Sequence, residues 1–103
     1  MSSWEALAEV ADFQATDRKY IEVDEDLQII LFKVEDEYYA IEAWCSHQKV
    51  SLVMGDVDGT DVMCPLHGAC FDLKTGRHLS PPATRGVETF PVKEEEGKLL
   101  VKV

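Results

Sequence analysis

Read by the alternation of apolar and polar positions, the chain falls into short segments separated by turn residues. Tyr20-Ile21-Glu22-Val23, Leu27 to Val34 and Tyr38 to Trp44 are dense in β-branched and aromatic residues, which favour a pleated, half-buried surface. Between them lie Asp24-Glu25-Asp26 and Glu35-Asp36-Glu37, short enough for hairpin connections. The pattern returns at the C-terminal end, where Val87 to Lys93 and Lys98 to Val103 flank Glu94-Glu95-Glu96-Gly97. Asp58-Gly59 adds a turn before a short Asp61-Val62-Met63 segment. Only Trp4 to Phe13 carries Ala, Leu and Glu at helical density, and it predicts the one helix. Closely spaced strands with tight turns predict an all-β chain, a small antiparallel sandwich or barrel. The longest uninterrupted apolar run, Ile29 to Phe32, is far too short to span a membrane.

The stretch from Cys45 to Pro82 breaks this rhythm. It holds every Cys and His, three of the four prolines and four of the six glycines (Gly55, Gly59, Gly68 and Gly76). Such a concentration predicts an irregular, functional insertion carried on a β scaffold. A length of 103 residues fits one domain, 1–103, with the insertion covering about 45–83.

Charge narrows the choice of partners. Ten Lys and Arg against 20 Asp and Glu give a net charge of -10, which argues against nucleic acid and anionic membranes. The acidic hairpin runs are explained by solvation alone, or by long-range steering towards a basic partner. No basic residue precedes Arg18, so no export signal is expected and the cytoplasm is the default compartment. Three cysteines, an odd number in such a chain, point to metal ligation ahead of disulfides.

The chemistry concentrates in two motifs. Cys45-Ser46-His47 is followed, after 16 intervening residues, by Cys64-Pro65-Leu66-His67. Each offers one thiolate and one imidazole, so two loops can present four ligands to one site. A zinc finger usually groups its cysteines together and its histidines together. Here each loop supplies one of each, which suits a binuclear cluster with both cysteines on one iron and both histidines on the other. A mononuclear zinc site with the same ligands stays open as an alternative.

On these residues the chain resembles the Rieske family. Cys-x-His, the spacer and Cys-Pro-x-His-Gly are supported by Leu52 and Gly55 after the first pair, and by Gly68, Phe71-Asp72 and Thr75-Gly76 after the second. Ser80-Pro81-Pro82-Ala83 is similar to the proline loop that covers the cluster. The resemblance implies one [2Fe-2S] cluster held by Cys45, His47, Cys64 and His67, with the histidines near the surface where the electron leaves. Gly68, lacking a Cβ, would let backbone approach the cluster. Cys70 matches no ligand and reads as a strand-packing residue, and His78 as an exposed loop residue.

Departures from the family pattern refine the expectation. High-potential relatives join the two loops by a disulfide, and the corresponding positions here are Val50 and Leu66. Those relatives also place Ser and Tyr hydroxyls near the cluster sulfurs, where this chain has Ala69 and Phe71. Hydrogen bonds to sulfur stabilise the more negative reduced state, so their loss implies a low-potential centre.

The resemblance therefore implies a soluble, monomeric one-electron carrier and not an enzyme by itself. It would pass electrons from an NAD(P)H-dependent flavoprotein reductase to a terminal oxygenase, often an aromatic-ring dioxygenase. Gln48, where many dioxygenase ferredoxins have Gly, weakens that last assignment slightly. The alternatives are a Rieske-like small subunit of NADH-dependent nitrite reductase and a structural zinc interaction module.

Overall fold

A computed structural model describes residues 3–44, 51–64, 69–79 and 86–103. Ten strands run through them: β1 (Trp4–Glu9), β2 (Arg18–Glu22), β3 (Gln28–Val34), β4 (Glu37–Glu42), β5 (Asp56–Asp58), β6 (Asp61–Met63), β7 (Cys70–Asp72), β8 (Thr89–Phe90), β9 (Val92–Glu95) and β10 (Lys98–Lys102). They form three antiparallel sheets in the orders β1-β10-β9, β2-β3-β4-β8 and β5-β6-β7. The third sheet lies in the chain between β4 and β8, within the predicted insertion.

The four-stranded sheet is the middle layer, which explains the apolar run in β3. Ile29 and Leu31 face one way and pack with Ala40, Leu99, Val101, Ala8 and Phe13, joining the sheet to β1 and β10. Ile30 and Phe32 face the other way and pack with Ile41, Ala43, Leu52, Val62, Cys64, Ala69, Phe71, Leu73 and Val87. A strand covered on both faces needs apolar residues at successive positions instead of alternate ones. All four residues from Ile29 to Phe32 are fully buried, each stabilising the fold by about 1.5–3 kcal/mol.

Two expectations are corrected. Trp4 to Phe13 is a strand followed by a 3-10 turn at Val10–Phe13, not a helix. Its backbone pairs along β10 from Trp4 opposite Lys102 to Glu9 opposite Lys98, and Ser3 and Val103 exchange two further bonds. A whole ladder of hydrogen bonds outweighs the few tenths of a kcal/mol per residue by which Ala, Leu and Glu favour helix. Val87 to Lys93 is likewise not one strand. Pro91 has no N–H to give to a ladder, and at that point the chain leaves β8 beside β4 for β9 beside β10.

The hairpin turns are tighter than the acidic runs suggested. Val34 pairs with Glu37 and Glu95 with Lys98, leaving two-residue loops. In the second, Glu96 and Gly97 both have positive φ (52° and 80°), the requirement of a type I′ turn. The Glu35–Glu37 and Glu94–Glu96 turns lie at one end of the sandwich: burial and then the Glu94 and Asp36 carboxylates push the Tyr38 hydroxyl above its ordinary pKa. β4 starts at that end and runs away from it, towards residue 45.

Candidate metal centre

Three loops, 45–50, 65–68 and 80–85, lie outside the described residues, and with them Cys45, His47 and His67. The backbone at their feet is described, and each foot is tied by hydrogen bonds. Trp44 bridges Ser51, and the Leu52 N–H donates to the Ala43 carbonyl at 2.7 Å. The Cys64 N–H donates to Ala69 at 2.6 Å, just beyond the Met63–Cys70 pair of β6 and β7. Leu79 donates to Cys70 and Val87 to Gly76, both at 2.7 Å. Ala43, Leu52, Cys64, Ala69 and Val87 all belong to one buried cluster, so the feet of all three loops stand on a single core.

Glycine makes this convergence possible at two places. At Gly55 a Cβ would sit 2.5 Å from the Met63 carbonyl oxygen, so the strap leaving the first loop lies directly on the backbone that delivers Cys64. Gly76 has φ +76°, and a Cβ there would sit 1.9 Å from the Val87 carbonyl oxygen. These are two of the glycines singled out in the sequence as flanking the ligand pairs.

Arg18 went unnoticed in the sequence, where nothing marks it beyond being the first basic residue. From β2 its Nη1 donates to the Val53 carbonyl at 2.8 Å and also to the Gly55 carbonyl, while its Nε and Nη2 engage the Asp17 carboxylate at 2.9 and 3.2 Å. Its guanidinium also lies 5.1 Å from the centre of the Phe32 ring. One side chain thus fastens the strap of the first loop to the sandwich. The Arg18 guanidinium holds the Asp17 carboxyl below its usual pKa; that contribution is present above the unfolded carboxylate pKa and lost as pH falls through the lowered one. An Arg18→Met variant leaves two half-buried carbonyls without their charged donor and is expected to lose about 2 kcal/mol in urea titrations at pH 7. Unchanged stability would contradict this role.

Cys64 is 2% exposed and sits at the mouth of the second loop, among apolar neighbours. A buried sulfur there is shielded from water on its inner side, which suits a thiolate held by metal. Ala69 and Phe71 are fully buried in the same cluster and bring no hydroxyl to it. Cys70 is half-buried on β7, in keeping with a strand-packing residue, and His78 is exposed opposite Phe71. Gly68, Val50, Leu66, Gln48 and the Ser80-Pro81-Pro82-Ala83 segment lie outside the described residues. Among the described residues no three His, Cys, Asp or Glu side chains are grouped to hold a metal ion.

Residues 3–91 match the family model of the Rieske [2Fe-2S] domain. The chain belongs to the Rieske family. A 3-phenylpropionate/cinnamic acid dioxygenase ferredoxin subunit from Shigella flexneri is 43% identical over 82 residues, 79% of this chain and 77% of that one. The ferredoxin component of naphthalene 1,2-dioxygenase/salicylate 5-hydroxylase systems from a Ralstonia species is 37% identical over 76 residues, 74% and 73% of the two chains. Among solved structures, Sphingomonas yanoikuyae B1 ferredoxin superposes with a TM-score of 0.89 at 26% identity, over 98% of this chain and 99% of its own. A chain in the complex of reduced oxygenase and oxidized ferredoxin of carbazole 1,9a-dioxygenase also gives 0.89, at 30% identity over 96% and 92%. A Rieske domain implies one [2Fe-2S] cluster, and Cys64, the one described residue of the four expected to hold it, is buried at a loop foot in a setting that fits that group.

Proposed function

We propose that the protein is a one-electron carrier that takes electrons from an NAD(P)H-dependent flavoprotein reductase and delivers them to a terminal oxygenase. The observation that carries this reading is the likeness to ferredoxin components of dioxygenase systems over about three-quarters of the chain. The cluster supplies reversible one-electron chemistry; the chain supplies its ligands and its surroundings. Cys45 and Cys64 would hold one iron as thiolates, and His47 and His67 the other as neutral imidazoles. Residues from about 45 to 83 would form the cluster-binding portion of a single domain. The buried residues at the loop feet keep water from the inner side, so exchange would occur from the outer side, through the histidines. The carrier acts in the cytoplasm, as a monomer, and is not an enzyme by itself.

The nitrite reductase small-subunit reading has less support, because the relatives above 30% identity described here are ferredoxin components. The two readings separate in a reconstitution with a naphthalene dioxygenase reductase and oxygenase. The carrier reading expects substrate hydroxylation to depend on added protein and to saturate with it at catalytic amounts. No hydroxylation, together with stoichiometric co-purification on a nitrite reductase large subunit, would favour the subunit.

A further inference from the structure

The β2-β3 hairpin grips the chain on both sides of the segment that bears Cys45 and His47. On the entry side, the Ala43 N–H donates to the Gln28 backbone carbonyl at 2.9 Å. The Trp44 indole N–H donates to the Gln28 side-chain oxygen at 3.1 Å. That side-chain amide is itself held, because its Nε2 donates to the Asp24 and Glu25 carbonyls at 3.1 and 3.3 Å. On the exit side, Arg18 donates to the Val53 and Gly55 carbonyls. Its side chain is only 20% exposed, so water competes weakly for those bonds. Gly55 in turn lies against the Met63 carbonyl, one residue before Cys64, with no room between them for a Cβ.

We propose that Arg18 and Gln28 are positioning residues for the metal centre. Through the hairpin they hold the two ligand-bearing segments in fixed relation, and so set how long the cluster is retained. The inference rests on the cluster of the carrier reading and adds what keeps it in place. Metal–ligand bonds tolerate only about 0.2 Å of displacement. A strap freed at Gly55 lets the Cys45–His47 segment shift relative to Cys64. Each such local opening exposes ligand bonds to water and to competing chelators, so metal loss follows the frequency of opening without global unfolding. Of the two grips Arg18 is the stronger. Its guanidinium is charged, is oriented by the Asp17 carboxylate, and lies over Phe32 in the core cluster that contains Cys64. Gln28 offers neutral bonds beside an indole that is 41% exposed.

The holoprotein is incubated under nitrogen with excess EDTA, and loss of the cluster's visible absorption is followed. Arg18→Met is expected to lose the cluster about tenfold faster than the native protein, and Gln28→Met about threefold faster. Arg18→Lys, which keeps a charged donor without the planar fork, is expected to stay within about threefold of the native rate. Val101→Ala, truncated in the other core cluster, also lowers the melting temperature but is expected to lose the cluster at the native rate. Amide hydrogen exchange gives a second readout that needs no metal. In Arg18→Met the Leu52, Gly55 and Cys64 N–H groups are expected to exchange about tenfold faster, while the Lys102 N–H, bonded to the Pro91 carbonyl, keeps its native rate. Cluster loss from Arg18→Met at the native rate overturns the proposal. Equal acceleration by Val101→Ala does so too, as does exchange that quickens at Leu52 and Gly55 but not at Cys64. A native protein without iron and sulfide sinks the carrier reading, and the exchange pattern then still decides whether Arg18 couples the two segments.

Discussion

A Cys64→Ala protein is expected to purify without colour and without bound iron or sulfide, whereas Cys70→Ala retains both. The two cysteines are six residues apart on the same hairpin, yet their settings differ. Cys64 is 2% exposed at the foot of the 65–68 loop, beside the backbone bond to Ala69. Cys70 is half-buried within β7 and has no counterpart among the family's ligands. Removing a thiolate that binds metal removes the binding free energy that folding shares with the site. The Cys64→Ala protein should therefore melt well below the native protein, by more than the cavity alone explains. Cys70→Ala loses only a few packing contacts, about 1 kcal/mol. Metal analysis and thermal melts on both variants check the contrast. Loss of the cluster in both, or in neither, would contradict the assignment of Cys64.

The second large effect concerns the reduction potential. The centre is expected near the lower end of the Rieske range of about −150 to +300 mV, because hydroxyl donors to sulfur are missing at Ala69 and Phe71. Both residues are fully buried in the cluster of apolar side chains that also contains Cys64. Their surroundings are dry, and a hydroxyl introduced there would act with little competition from water. A hydrogen bond that favours the reduced state by 1–2 kcal/mol raises a one-electron potential by roughly 45–90 mV. Ala69→Ser, the smaller change, is expected to shift the midpoint upward by that amount with modest loss of stability. Phe71→Tyr must also fit its hydroxyl into a filled core, so its rise in potential should come with a lower melting temperature. Redox titration of the three proteins decides. A native midpoint above zero, or a downward shift on adding the hydroxyl, would contradict the argument.

Much of the scaffold could be read from residue patterns because its cause is local. β2, β3 and β4 fall on segments rich in β-branched and aromatic residues, and the turn at Asp58-Gly59 marks the hairpin of β5 and β6. What the pattern missed has non-local causes. Trp4 to Glu9 looks helical in composition, and only the partner strand β10, at the other end of the chain, makes it a strand. The run Ile29 to Phe32 marked a strand, but its burial on both faces depends on two separate layers meeting it. Pro91 did carry a local signal for the break between β8 and β9, one that the apolar residues around it obscured. At the site, the Cys and His spacing pointed to the chemistry, and the glycines at 55 and 76 proved to be places where two backbones touch. Arg18 was illegible as a fastener of the strap, since the groups it holds there are backbone carbonyls, which leave no trace in residue type.

The central claim, a His-ligated [2Fe-2S] centre held by Cys45, His47, Cys64 and His67, is tested most directly on protein purified without added metal. Iron and acid-labile sulfide are measured, and an electron paramagnetic resonance spectrum is taken after dithionite reduction. The account predicts iron and sulfide in equal amounts, about two of each per chain, with the low average g-value of a cluster ligated by histidine. Zinc without sulfide, or a colourless protein free of metal, would contradict it.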